Sequence, residues 1–282
     1  MTRLPKRYFK SISDYVKTYY TAYGAQRAQK LYDAVKTVTK DFTRTDPVYV
    51  RIGEDGEPEI HYAMTQADGS SYFAAMDLGD ATLVLHNTDA ITSMVECFKN
   101  IRCKTISIAS GSFKSLKSLS WSFAIEINAA GTPVAILPEE ISVPAGMTSA
   151  DCAFHTCGRV KRVPLFDTSS VTTAYAMFVN CFYLEAIPAY DFSKVTNLGL
   201  CFTSLHNLKE IHCFGMSASF DLSSCFSNVS TSVAHDAILE VFNNLGEVDK
   251  TAGITLTLGS GKLALMSDEE KKIATDKGWT LA

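Results

Sequence analysis

Phe154, Phe178, Phe202 and Phe226 recur every 24 residues, each closing a short triplet: Cys-Ala-Phe154, Ala-Met-Phe178, Leu-Cys-Phe202 and Ser-Cys-Phe226. A fixed period of this length marks stacked repeats, none of which can bury its apolar face alone. Counting from each Phe as zero, apolar residues fall at +3 (Cys157, Cys181, Leu205), +6 (Val160, Leu184, Leu208) and +9 (Val163, Ile187, Ile211). They return at +20 (Ala174, Leu198, Leu222) and at −1. Spacing by threes fits neither a 3.6-residue helix nor an alternating strand over its whole length. It predicts a chain that turns corners and aims one side chain inward per short segment. Each repeat then buries one Phe and a few aliphatics, at roughly 1.5–3 kcal/mol of transfer energy per side chain. A degraded form begins at Ile91. There Phe98 is followed by Ile101, Ile106 and Ile108, Phe123 lies 25 residues on and Phe154 31 further, so an insertion falls around Ala129–Pro138.

The repeat explains most of the eight cysteines. Cys97, Cys201 and Cys225 each precede a repeat Phe, where Met177 stands in another copy. Cys157 and Cys181 follow it by three, where Leu205 and Val229 stand elsewhere. A position shared by Cys, Met, Leu and Val is a core slot, in which a free thiol acts as a small hydrophobe. Cys97/Cys103 and Cys152/Cys157 are spaced wrongly for a zinc knuckle. Neither metal nor disulfide framework is expected.

The ends differ from the middle. Residues 1–51 hold 11 Lys/Arg against 4 Asp/Glu, and the remainder 15 against 26, a basic end (+7) on an acidic body (−11). Such a split suggests different partners at the two ends, although a solvated helical face would also account for the basic part. Ile12, Tyr15, Val16 and Tyr19 share one helical face, as do Ala28, Leu31, Tyr32, Val35 and Val38 after Gly24. Tyr15, Tyr19, Tyr20 and Tyr23 offer large contact area with polar tips, suited to an interface or to packing on the neighbouring domain. Val48–Ile52 and Glu59–Met64 flank Gly53-Glu54-Asp55-Gly56-Glu57 as a hairpin, and Ala81–His86 reads as a further strand. After the repeats, Ala234, Ile238, Val241 and Leu245 make an amphipathic helix, Ile254, Leu256 and Leu258 a strand, and Ser267 with Glu270 a capping box.

Chemistry is not evident. Gly259-Ser-Gly-Lys262 lacks the first glycine (Leu256) and the Ser/Thr (Leu263) of a phosphate loop, and reads as a strand-exit turn. The six histidines are scattered, and Cys157 beside His155 would be inert in a core slot. No catalytic residue, cofactor or metal site is assigned. The opening Met-Thr-Arg-Leu-Pro-Lys-Arg-Tyr-Phe-Lys has charge without a following apolar run, so no signal peptide is read, and no apolar stretch reaches membrane-spanning length. One surface feature stands out at +12: Phe166, Tyr190 and Phe214, with Asp167 and Asp191 beside the first two. Stacking would align them into a column suited to carbohydrate or protein contact, or into a further core ladder.

Met177-Phe178-Val-Asn-Cys-Phe-Tyr-Leu-Glu-Ala-Ile-Pro188, followed by Tyr190-Asp-Phe-Ser-Lys-Val-Thr-Asn-Leu198, resembles the leucine-rich repeat of BspA-type surface proteins. The resemblance covers 91–230, most closely 147–226. It implies an α/β repeat solenoid of about 24 residues per coil, with Lys161–Val163, Glu185–Ile187 and Lys209–Ile211 as short parallel strands. The expected organisation is a basic helical attachment segment (1–46), a small β region (47–90), the leucine-rich-repeat solenoid (91–230) and an α/β C-terminal cap (231–282). The closing Ser267–Leu281 is similar to the ending of repeat proteins in bacteriophage tail and fibre genes. The resemblance implies a non-enzymatic virion protein, a fibre or adhesin assembled in the host cytoplasm. It would join other virion proteins through its N-terminal region and recognise a host-surface carbohydrate or protein. Nucleic acid and membrane insertion are not expected, and a homotrimer follows only by analogy with fibres. The alternatives are a bacterial cell-surface recognition protein and, further off, an enzyme cutting polysaccharide.

Overall fold

The computed structural model describes residues 48–282 apart from 55, 65–66, 77, 80, 102, 109–112, 114, 125–145 and 158–159. The helices expected within 1–46 lie outside the described residues. The α/β leucine-rich-repeat solenoid expected for 91–230 is not what forms. The described residues contain three α-helices, all after Ser230, and three small sheets of four, two and three strands. Among the described residues no helix accompanies each repeat and no continuous sheet runs through the middle of the chain.

The first sheet holds β1 (Val48–Ile52), β2 (Pro58–Ala63), β3 (Thr82–His86) and β4 (Thr105–Ile108) in that order. β1 and β2 form the antiparallel hairpin, while β3 and β4 add in parallel, so the sheet is mixed and crosses the boundary expected at residue 90. The register aligns Ile60, Leu83 and Ile106 in one buried row.

Beyond β4 the period survives as a ladder of side chains and single backbone pairings. Phe73, Phe98, Phe123, Phe154, Phe178 and Phe202 stack in sequence, with ring centroids 5.5, 5.1, 5.4, 5.8 and 6.2 Å apart. These are offset-stacking distances. The stack begins one step earlier than the periodicity indicated, at Phe73, and leaves out Phe226. Phe220, 5.4 Å from Phe202, and Trp279, 5.6 Å further, close it instead. Isolated parallel bridges join Asp68, Ser93, Ser118, Ser149, Thr173 and Asn197 in one line. The short strands implied at 185–187 and 209–211 shrink to β5 (Ala186–Ile187) and β6 (Glu210–Ile211), with Arg162 contributing one bridge to Ala186.

The backbone beside each ring is turn, not strand. Residues two before and two after the Phe sit in the left-handed region: Trp121, Cys152, Ala176 and Leu200 at φ 53–58°, and Asn100, Thr156, Asn180 and Ser204 at φ 56–63°. Left-handed backbone costs a non-glycine residue about 1–2 kcal/mol. The compensation is that every second N–H points to the next step. Ala176, Phe178 and Asn180 donate to Gly199, Cys201 and Thr203 oxygens at 2.8, 3.1 and 2.9 Å. Ala174 and the residues around Phe154 and Phe98 repeat the scheme.

The C-terminal part closes this ladder. α1 (Thr231–Asn244) is capped by the Ser230 hydroxyl and buries Ala234, Ala237, Ile238, Val241 and Phe242. The Lys277 ammonium donates to the Phe242, Asn243 and Leu245 carbonyls at 3.0, 2.6 and 3.0 Å, placing a cation on the negative end of the helix. β7 (Phe220–Asp221), β8 (Thr255–Thr257) and β9 (Thr280–Leu281) form a parallel sheet. The Gly259–Lys262 turn is in fact α2 (Ser260–Leu263), a single helical turn, with Lys262 Nζ donating to the Ser223 carbonyl at 2.6 Å. α3 (Asp268–Asp276) carries the Ser267–Glu270 capping box. At Gly278 (φ 96°) a Cβ would stand 2.1 Å from the Val248 oxygen, so only glycine fits.

Two stability outcomes follow. Phe178→Ala removes a ring with stacked neighbours on both sides and should cost about 3–5 kcal/mol in urea unfolding. Thr168, 2% exposed, holds a buried hydroxyl without a partner where the corresponding position of the next step is Phe192. Thr168→Val should therefore raise stability by about 1 kcal/mol, since an unsatisfied buried hydroxyl costs roughly that or more. Destabilisation by Thr168→Val would show that the hydroxyl is satisfied in solution.

Candidate recognition surface

The +12 column does not form an outward face. Phe166 and Tyr190 are buried, their ring centroids 4.9 Å apart, and both join the phenylalanine stack. The Tyr190 hydroxyl donates to the Pro164 carbonyl, and burial pushes its pKa well up. Phe214 alone is exposed, at 42%. Asp167 and Asp191 are turn formers: each accepts from the backbone N–H two residues on, Ser169 or Ser193, at 2.9 Å. The physical reason is that apolar side chains following β5 and its neighbours fill the interior, while the aspartates close the turn outside it. Tyr15, Tyr19, Tyr20 and Tyr23 lie outside the described residues.

The eight thiols are all buried and unbridged. Three do more than fill space. Cys157, Cys181 and Cys225 donate through Sγ to the carbonyls of the preceding ladder residues Phe123, Phe154 and Phe202 at 2.7, 2.9 and 2.8 Å. Burial raises the pKa of Cys103 and Cys225 to about 12 and, with the Asp151 charge adding to it, that of Cys152 to about 11. Protonated, buried thiols are poor nucleophiles. Among the described residues no group of three or more His, Cys, Asp or Glu is placed to hold a metal ion.

The outer surface carries charge in ordered lines. Glu185 sits between Lys161 and Lys209, 2.9 Å from each, and the Lys209 and Lys161 hydrogen bonds hold its carboxyl down to about 2. His212 lies between Glu240 (2.6 Å) and Glu210 (3.3 Å), with its pKa raised chiefly by Glu240. His235 bridges Asp236 and Glu270 at 3.0 Å each, tying α1 to the first turn of α3, and its pKa is raised as well. On β2 and β3 the order is reversed. His61 Nε2 meets Glu59 at 2.9 Å and Nδ1 meets His86 Nε2 at 2.9 Å. Because a carboxylate only accepts, His61 donates through Nε2, and with the ring neutral its Nδ1 is the acceptor toward His86. Burial lowers its pKa, in keeping with that state.

Exposed apolar side chains collect elsewhere. Tyr175 (41% exposed) and Leu200 (51%) stand on adjacent ladder steps, just before Phe178 and Phe202. An edge of the Tyr175 ring lies against Gly199, where an added Cβ would come within 3.2 Å of Cδ2. Asp151 stands one step before, its Oδ1 accepting from Thr173 Oγ1 at 2.6 Å and from Tyr175 N at 2.8 Å. Asn197 stands one step after, its Oδ1 accepting from Gly199 N at 3.0 Å. Sequence reasoning passed over this group, although the period contains a signal: Ser120, Asp151 and Gly199 occupy the position three before the Phe, and Tyr175 is the aromatic exception.

No protein-family model, curated protein or solved structure matches this chain, so the functional reading rests on the residues and their geometry.

The histidines predict opposite pH responses. His212 is favoured in its charged form, so its stabilisation is complete below the unfolded value of about 6.5 and fades as pH rises through the raised native value. His61 is favoured neutral, so its contribution is present above about 6.5 and is lost as pH falls through the lowered native value. His212→Gln should thus melt below wild type at acid pH and approach it at alkaline pH. His61→Asn should show the reverse trend. A gap independent of pH in thermal melts would contradict both assignments.

Proposed function

We propose that the protein is a non-enzymatic structural and adhesion protein, a bacteriophage virion component that attaches to the particle through its basic N-terminal region and recognises a host-surface ligand with its acidic body. The observation that carries this reading is the charge division, +7 over residues 1–51 against −11 over the rest. Two segments of opposite sign favour two different partners and steer each encounter separately. The body suits a scaffold: a stack of buried rings fixes the surface, and Tyr175, Tyr183 and Leu200 stand exposed on it. Large amphipathic and apolar side chains presented by a rigid frame are what a recognition face requires. The thiols are all buried, and burial keeps those of Cys103 and Cys225 protonated, so they lend no support to an enzymatic alternative.

A full-length variant with Lys6, Arg7 and Lys10 changed to Glu tests attachment. It should fold and melt like wild type yet be lost from purified particles. Normal incorporation would contradict the attachment role, and labelling on uninfected bacteria would move the protein to the cell surface.

A further inference from the structure

Tyr175 with its two polar neighbours has a chemistry of its own. The Cδ2–Cε2 edge of the ring lies against Gly199, and the residue is 41% exposed. The carboxylate of Asp151 uses Oδ1 for Thr173 and Tyr175 N–H, and its Oδ2 has no partner among the described residues. Asn197 uses Oδ1 for Gly199 N–H, and its Nδ2 likewise has none among them. One locked acceptor and one locked donor therefore flank one aromatic face. They stand on the steps either side of it, two inter-strand spacings apart and offset by two residues along the chain, a backbone separation of about 12 Å. The Oδ1 bonds fix both side chains in place, so little entropy is lost when a ligand engages them. The Ser149–Thr173 and Thr173–Asn197 bridges fix the backbone beneath.

From this geometry we infer that Tyr175, Asp151 and Asn197 form a pyranose-binding subsite. The sugar ring lies on the open face of Tyr175 with its C–H side down, Asp151 Oδ2 accepts from one hydroxyl and Asn197 Nδ2 donates to another. Leu200, 51% exposed, follows Gly199 on the next step and is the nearest exposed apolar residue along the chain for a second sugar unit. A sugar fits better than a protein side chain, because the apolar platform is a single flat ring bounded on both sides by hydrogen-bonding groups and not a pocket for an anchor residue. The inference rests on the recognition role proposed above and narrows its ligand to carbohydrate.

The test is binding of the full-length protein to a printed array of hexose, N-acetylhexosamine and deoxyhexose oligosaccharides. Wild type should bind at least one class. Tyr175→Ala should weaken binding about tenfold or more, a loss of about 1.4 kcal/mol, while Tyr175→Phe retains it because the ring and not the hydroxyl makes the contact. Asp151→Asn keeps the Oδ1 acceptor but turns Oδ2 into a donor, and Asn197→Asp turns Nδ2 into an acceptor. Each should weaken binding with an unchanged melting temperature. No binding to any glycan, or binding indifferent to Tyr175→Ala, would overturn the subsite. Binding to bacterial cells separates this from the broader reading. Cell binding that survives periodate oxidation of the cells and Tyr175→Ala sinks the sugar subsite but leaves recognition intact. Absence of both cell binding and particle incorporation sinks the recognition role itself.

Discussion

Each ladder step depends on the next through two couplings made at the same residue. At Phe178 the ring stacks on Phe154 and Phe202, while its N–H donates to Cys201 at 3.1 Å. The ring supplies burial, and the amide pairing removes a polar group from water without an unsatisfied donor. Neither would hold alone: the rings need the fixed spacing the amides impose, and the left-handed residues at ±2 need the pairing to offset their backbone cost. Stability is then shared along the stack, and the exposed side chains between the rings inherit its rigidity.

A stack of this kind must be closed. At the C-terminal end Phe220 covers Phe202 and Trp279 covers Phe220, and α1 is locked by Lys277 on three carbonyls at its C-terminal end. The Trp279 indole donates to the Gly246 carbonyl at 2.9 Å, so the residue that caps the rings also ties the chain after α1. At the other end the mixed sheet of β1–β4 passes the row Ile60, Leu83 and Ile106 into the first steps of the ladder.

Much of the interior was readable from the sequence, because burial leaves a periodic trace. Phe98 to Phe202, the aliphatics at +3, +6 and +9 and the core cysteines follow from it directly. The fold class did not follow. A period states how far apart the stacked residues lie, not what the backbone does between them. Here it adopts left-handed turns at residues such as Trp121, Cys152 and Leu200, whose identities carry no turn signal. Among the left-handed residues beside the rings, Asn100 and Asn180 alone have side chains that signal the conformation. The +12 column stayed open between surface and core for a related reason: Phe166 and Tyr190 are apolar enough for either, and only packing decides between them. Donation by Cys157, Cys181 and Cys225 to phenylalanine carbonyls was equally invisible, since those positions alternate with Leu and Met elsewhere. Tyr175 was legible in principle, as an aromatic on a line of small and polar residues.

The recognition reading depends on a surface held still by this ladder, so the cooperativity of the ladder is the claim on which the rest stands. Native-state hydrogen exchange at the Ala176, Phe178 and Asn180 amides measures it directly. If each step is held by its neighbours, these amides exchange slowly and share one opening free energy with Cys152, Phe154 and Thr156, approaching that of global unfolding. Fast exchange at Phe178, comparable to that of exposed turn amides such as Thr251, would show that the steps open independently and would contradict the account.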